Sequence, residues 1–174
     1  RHFEDLHRRA GMTLRLGCTP KRIMGRDGHV TGLVVDADEI IPADLVVVGI
    51  GVVPNAEIAA EAGLAIENGI RTDEFLLTSD PAISAIGDCA SFPDVIDGTR
   101  VRLESVQNAV DQAKCVAARL ARTAHPYKAA PWFWSDQYDL KLQMTGLADG
   151  HDTCVVRGSL VDHSFCAFYL RAGR

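Results

Sequence analysis

The chemistry of this chain centres on one carboxylate. Thr78-Ser79-Asp80-Pro81-Ala82-Ile83-Ser84-Ala85-Ile86-Gly87-Asp88 reads as a threonine, a turn, a short buried strand carrying Ile83, Ala85 and Ile86, and a strand-end Gly-Asp. Ligands collect at the carboxyl ends of buried strands in α/β sheets, so this order sets Asp88 at a ligand crevice. Gly87 removes a side chain that would block close backbone approach, and Asp88 offers two acceptor oxygens suited to the hydroxyls of a sugar or sugar alcohol. Taken alone, the Gly-Asp pair also fits a loop with a capping Asp.

Three other groups carry candidate chemistry. Ser105 is the expected N-cap of a long helix, whose free N–H groups and partial positive charge suit an anion at Ser105 and Val106. Glu104, just before the cap, is a ligand contact or a plain charge at the helix start. Gly49-Ile50-Gly51 closes the apolar run from Leu45 and lets backbone approach a ligand, or simply turns the chain ahead of Pro54-Asn55. Trp132, Phe133, Trp134 and Tyr138 place four of eleven aromatics within seven residues, which fits a core or interdomain seam, or an anchor for a partner. Asp136 and Tyr138 read as structural.

Cys18, Cys89, Cys115, Cys154 and Cys166 are odd in number and form no C-x-x-C pair, so neither a disulfide framework nor a thioredoxin-like motif is indicated. They are expected to be reduced and mostly buried. Cys89 lacks the His/Asp partners of a nucleophile and reads as packing. His151, Cys154, His163 and Cys166 do not amount to four clear zinc ligands, and no metal is expected.

These groups require elements to position them. Phe3, Leu6 and Ala10 have helical spacing. Met12 to Leu16 alternates as a strand, Arg22 to Met24 and His29 to Val35 flank the hairpin signal Asp27-Gly28, and together they predict a small antiparallel meander. Asp36, Asp38 and Glu39 then form an exposed, solvated turn. Leu45 to Ile50 predicts a central strand covered on both faces. A short helix over 56–62 ends at Gly63. Phe92 to Gly98 reads as a surface loop. The helix from Ser105 to about Arg122 carries the stripe Val106, Val110, Ala113, Ala117 and Leu120, expected to be its buried face. His125-Pro126 ends it, Pro126 to Pro131 reads as a linker, and strands follow at Leu140 to Thr145, Thr153 to Val156 and Phe165 to Leu170.

At 174 residues, 47% apolar and 24% charged, the chain has the composition of a globular protein. No apolar run approaches the roughly 20 residues of a membrane span, and the start at Arg1 does not resemble a signal peptide, so a cytoplasmic protein without membrane contact is expected. A formal charge of -5 without a Lys/Arg block argues against nucleic-acid binding. The opening without Met, inside what reads as a helix end, predicts a piece of something longer.

The phrase ending at Asp88 resembles the FAD-binding signature of the pyridine nucleotide-disulphide oxidoreductase family. Arg102-Leu103-Glu104-Ser105-Val106-Gln107-Asn108-Ala109 and Pro131 to Gln143 are similar to its ferredoxin and rubredoxin reductase branch, and Ala43 to Asn55 extends the likeness. The resemblance implies an α/β fold: parts of two Rossmann-like dinucleotide-binding domains plus a C-terminal α+β domain with an antiparallel sheet. It assigns residues 1–55 to the second half of the NAD(P)H-binding domain, 56–126 to the distal part of the FAD-binding domain, and 127–174 to part of the C-terminal interface domain. It implies that Gly87 and Asp88 meet the flavin ribitol, that Val106 backbone lies near the flavin, and that Glu104 bonds the nicotinamide carboxamide or a neighbouring Lys. Gly49 and Gly51 then line the nicotinamide cleft, and Trp132 and Trp134 lie near the face that meets the iron–sulfur partner.

The activity so implied is that of an FAD-containing, NADH-dependent reductase passing electrons to a ferredoxin or rubredoxin, including one serving an oxygenase. Alternatives are a nitrite reductase subunit, an oxidoreductase like apoptosis-inducing factor, or a non-enzymatic module that forms homo-oligomers through sheet edges. No Gly-x-Gly-x-x-Gly phosphate fingerprint occurs here. Both fingerprints are expected before Arg1, so the chain alone is expected to hold no flavin firmly, to catalyse nothing, and to leave NADH against NADPH preference unread.

Overall fold

The structure, a computed structural model, describes residues 2–173 and comprises two compact units, Arg1–Val52 and Val53–Arg174. It mixes helices with parallel and antiparallel strand pairs, as the α/β reading expects.

In the first unit, helix α1 covers His2–Arg9 and carries an i,i+4 ion pair of Arg8 with Glu4 at 3.1 Å. Strands β1 (Arg22–Arg26), β2 (His29–Val34) and β3 (Ile40–Pro42) form one antiparallel sheet in that order. Asp27 and Gly28 both have positive φ, the geometry whose twist matches a two-residue hairpin. The meander therefore exists, but its third strand is β3 and not Met12 to Leu16. That stretch forms no ladder, and its Arg15 reaches across to Glu39 through two bonds of 2.8 and 3.0 Å. The acidic turn is tied down rather than merely solvated: Asp36 accepts the Thr19 N–H at 2.7 Å, and Asp38 pairs with Lys21 at 3.4 Å.

Leu45 to Ile50 is not a strand. Leu45, Val47, Val48 and Ile50 are exposed, Val47 at 85%. A strand buried on both faces needs hydrogen-bonded neighbours and covering layers, and the described residues supply neither.

The second unit opens with α2 (Glu57–Glu61), then β4 (Ile70–Arg71), β5 (Ala90–Pro93) and β6 (Arg100–Val101), with β4 parallel and β6 antiparallel to the central β5. The expected surface loop from Phe92 therefore starts as a buried strand. Helix α3 spans Val106–Leu120, and two antiparallel hairpins follow, β7 (Trp132–Gln137) with β8 (Leu140–Thr145), and β9 (Thr153–Ser159) with β10 (Ser164–Leu170).

The core of this unit is Leu76, Phe92, Leu103, Cys115 and Tyr127, with Val101, Val116, Ala129 and Phe133 packed on it. Leu76 is fully buried although its φ is +61°, a left-handed conformation that a leucine rarely adopts. The Asp73 carboxylate holds it there by accepting the Phe75 and Leu77 N–H groups at 2.8 and 2.9 Å, and the burial of Leu76 offsets the strain. Tyr127 corrects the linker reading of Pro126 to Pro131. Its N–H donates to the Glu74 carbonyl at 2.7 Å, its ring meets Phe92 edge-on at 5.3 Å, and its hydroxyl donates to Asn108 Oδ1 at 3.1 Å.

Three other expectations change. Val106, Val110, Ala113, Ala117 and Leu120 form the exposed face of α3, while Asn108, Gln112 and Cys115 form its buried one. Ile83 to Ile86 is not a ladder strand: only an isolated bridge joins Ser84 to Leu77, and of Ile83, Ala85 and Ile86 only Ala85 is buried. Of the five cysteines, all free, Cys115 alone is buried, and Cys154 and Cys166 lie exposed on the β9–β10 hairpin.

Leu76→Ala is expected to destabilise the fold by about 2 to 5 kcal/mol, read as a lower urea midpoint. Burial pushes the Tyr127 hydroxyl up to about 12 from a usual value of 10.0, with Asp111 and Cys115 adding to the shift. Its raised folded value favours the neutral form, so this contribution is complete below about pH 10 and is lost as pH climbs towards about 12. Urea denaturation across that window is expected to show a steeper loss for the wild type than for Tyr127→Phe; equal slopes would contradict the assignment.

Candidate functional site

The loop ending at Asp88 is built from short-range hydrogen bonds. Thr78 Oγ1 donates to the Asp80 and Ile83 carbonyls at 3.0 Å, and Asp80 Oδ1 accepts the Ala82 N–H at 2.8 Å, so the Ser79-Asp80-Pro81 turn is stapled at both ends. The Ala85 N–H then donates to the Leu76 carbonyl at 3.3 Å, tying the loop to the strained core residue. After an extended Ile86, Gly87 takes φ +75° and opens a 3-10 turn over Gly87–Cys89 that ends at β5. Asp88 is thus presented by a turn leading into a strand, rather than by a strand's end.

Two side chains fix this turn. Gln112, fully buried on α3, accepts the Gly87 N–H on Oε1 at 2.7 Å. Arg102, with its side chain 11% exposed, donates to the Asp88 carbonyl at 2.9 Å and to Asn68 Oδ1 at 3.3 Å, and pairs with Glu104 at 2.7 Å. One guanidinium therefore joins Asp88 to Glu104. Farther along α3, Arg119 bonds the Ser84 hydroxyl. The Asp88 carboxylate is exposed and takes no hydrogen bond or ion pair among the described residues.

Ser105 is the N-cap of α3, as expected, its Oγ accepting the Asn108 N–H at 3.1 Å. Asn108 in turn donates to the Leu103 carbonyl at 3.1 Å and receives the Tyr127 hydroxyl, so both ends of its amide are used. Val106, first residue of the helix, is exposed beside Glu104. The start of α3 thus carries N–H groups without intrahelical acceptors at a surface shared with Glu104.

Trp132 and Trp134 point to the same side of β7, with ring centroids 5.2 Å apart and planes at 30°. Phe133 lies on the opposite side and packs on the core. Alternation along one strand therefore makes the cluster both core and surface, with Trp134 exposed. Tyr138 sits at the β7–β8 turn with φ +57°. Gly49 and Gly51 lie in the first unit, on the exposed segment after Leu45; Gly51 has φ +91°, and a Cβ at either position would meet open space. Among the described residues no group of three or more His, Cys, Asp or Glu side chains could hold a metal ion, and no helix is long and apolar enough to cross a membrane.

Gln112, Arg102 and Asn108 were not among the candidates from sequence. The available signal was the 4-3-4 spacing of Asn108, Gln112, Cys115 and Arg119, one face of α3 whose side chains can hydrogen-bond. The apolar stripe on the other face drew the reading away from it.

Residues 1–113 match the family described as pyridine nucleotide-disulphide oxidoreductase, and residues 132–174 match the reductase C-terminal family. The chain is 52% identical over 167 residues to rhodocoxin reductase of Rhodococcus erythropolis, an alignment covering 96% of this chain and 39% of that protein. Among solved structures it is similar to the ferredoxin reductase for the CYP199A2 system of Rhodopseudomonas palustris, with a TM-score of 0.94 and 54% identity over 98% of this chain and 42% of that one. It is also similar to the reductase in the covalent putidaredoxin reductase–putidaredoxin complex, with a TM-score of 0.93 and 44% identity, again over 98% and 42%. The chain spans about two fifths of the length of these relatives. With the Gly87-Asp88 turn, the capped helix start and a family match that runs through both, the chain belongs to the pyridine nucleotide-disulphide oxidoreductase family.

Proposed function

We propose that this chain is part of an FAD-containing, NADH-dependent reductase that passes electrons to a ferredoxin or rubredoxin, including those that serve oxygenases. The observation that carries the reading is the Asp88 carboxylate, exposed and without a protein partner among the described residues, while the Gly87 N–H before it and its own carbonyl are both held. Rhodocoxin reductase and the putidaredoxin-linked structure support the acceptor class by what their names say of them.

The residues fit a flavin. Asp88 offers acceptors for ribitol hydroxyls, Gly87 keeps the approach open, and the start of α3 at Ser105 and Val106 suits the anionic edge of a reduced isoalloxazine. FAD, when bound, accepts hydride from NADH and releases electrons singly. Glu104, paired with Arg102 at 2.7 Å, is assigned to the nicotinamide carboxamide. Gly49 and Gly51 are assigned to the nicotinamide side. Trp132 and Trp134 are assigned to the electron-acceptor face, where a part-exposed pair of contacting rings makes an anchor. In this reading residues 1–55 belong to the NAD(P)H-binding domain, 56–126 to the FAD-binding domain and 127–174 to the C-terminal interface domain. A cytoplasmic location accords with five free cysteines.

An anaerobic visible spectrum of the full-length protein tests the whole reading. Flavin absorbance is expected to bleach on adding NADH and to return as added ferredoxin is reduced; a colourless protein, or flavin indifferent to NADH, would sink it. Asp88→Ala is expected to weaken FAD binding by about 1.5 to 3 kcal/mol, the worth of a hydrogen bond to a charged group, and unchanged affinity removes Asp88 from the site. For the acceptor face, Trp134→Ala is expected to raise the KM for ferredoxin about tenfold with flavin reduction by NADH unaltered, while an unchanged KM excludes Trp134 as an anchor.

A further inference from the structure

We propose that Gln112 is a positioning residue of the flavin site, acting through the Gly87 N–H to aim the Asp88 carboxylate. This rests on the flavin reading of Asp88 given above. Gln112 is fully buried, and its Oε1 accepts the Gly87 N–H at 2.7 Å across 25 residues of sequence. Its Nε2 is also buried and has no partner among the described residues. A leucine or methionine would fill the same volume without leaving a donor unpaired, so the carboxamide contributes through its acceptor.

The bond falls at the position that decides where Asp88 points. A Cβ on Gly87 would meet only Ala109 Cβ at 3.6 Å, an ordinary contact, so crowding is not what makes this position a glycine. Its φ of +75° is, and that conformation sets the direction of the next residue. Glycine by itself visits many conformations, and the Gln112 acceptor selects this one by fixing the N–H. Arg102 holds the Asp88 carbonyl at 2.9 Å on the other side. The chain is thus clamped at the Gly87 N–H, one residue before Asp88, and at the Asp88 carbonyl, and the carboxylate is left for a ligand.

A double-mutant cycle in the full-length protein, read as the Kd for FAD by fluorescence quenching, separates positioning from simple packing. Gln112→Leu is expected to raise that Kd about tenfold when Asp88 is present and by no more than about twofold in the Asp88→Ala background. Equal fold losses in both backgrounds overturn the proposal, since a packing defect does not depend on the Asp88 carboxylate. Gln112→Met replaces Gln112→Leu in the cycle if the latter does not accumulate folded. If Asp88→Ala alone leaves the Kd unchanged, the flavin assignment of Asp88 falls first and the proposal with it; if Asp88→Ala raises the Kd and the cycle is additive, the positioning role alone falls.

Discussion

The hydrogen-bonded face of α3 is the constraint on which the second unit depends. Asn108 ties the helix start to Leu103 and to Tyr127, Gln112 ties its middle to Gly87, and Arg119 ties its last turn to Ser84. Apolar packing is non-directional and would tolerate sliding of the helix. Hydrogen bonds at three successive levels do not tolerate it, because a shift of one residue would bury several unpaired polar groups. The helix is thereby registered against the loop that carries Asp88, at the accuracy a binding site needs.

Strain and burial are coupled to the same arrangement. Leu76 occupies a left-handed conformation, inserts fully into the core, and receives the Ala85 N–H on its carbonyl. The core therefore sets the height of the 78–86 loop on one side, while α3 sets the position of Gly87 on the other. Arg102, the residue after β6, adds a third hold by reaching Asn68, the Asp88 carbonyl and Glu104. Every anchor is on backbone or on a supporting side chain, so the Asp88 carboxylate stays free for chemistry.

The aromatic segment shows how one strand can serve two purposes. Phe133 enters the core shared with Tyr127 and α3, and its neighbours Trp132 and Trp134 meet each other, tilted at 30°, on the other side of β7. Anchoring a surface pair through an intervening core residue limits its conformational freedom. The loop that carries Asp88 and this pair are thus supported by one core.

Much of this was legible in residue types alone. The Ser105 cap, the Asp27-Gly28 hairpin, the helix from Val106 and the strands at Leu140 and Ser164 follow from local rules whose partners lie within a few residues. What the tertiary structure decided was non-local. Val106 to Leu120 has an apolar stripe, but which face of a helix is buried depends on what faces it, and here the neighbour is backbone that needs an acceptor rather than an oily surface. Leu45 to Ile50 has the composition of a central strand, yet a strand is made by its neighbours, and among the described residues it has none. Gln112 and Arg102 became visible only when chain segments 25 and 14 residues distant were brought within hydrogen-bond range of Gly87 and Asp88. Sequence determines which groups can do chemistry; where they are held is settled by contacts between segments that no local pattern encodes.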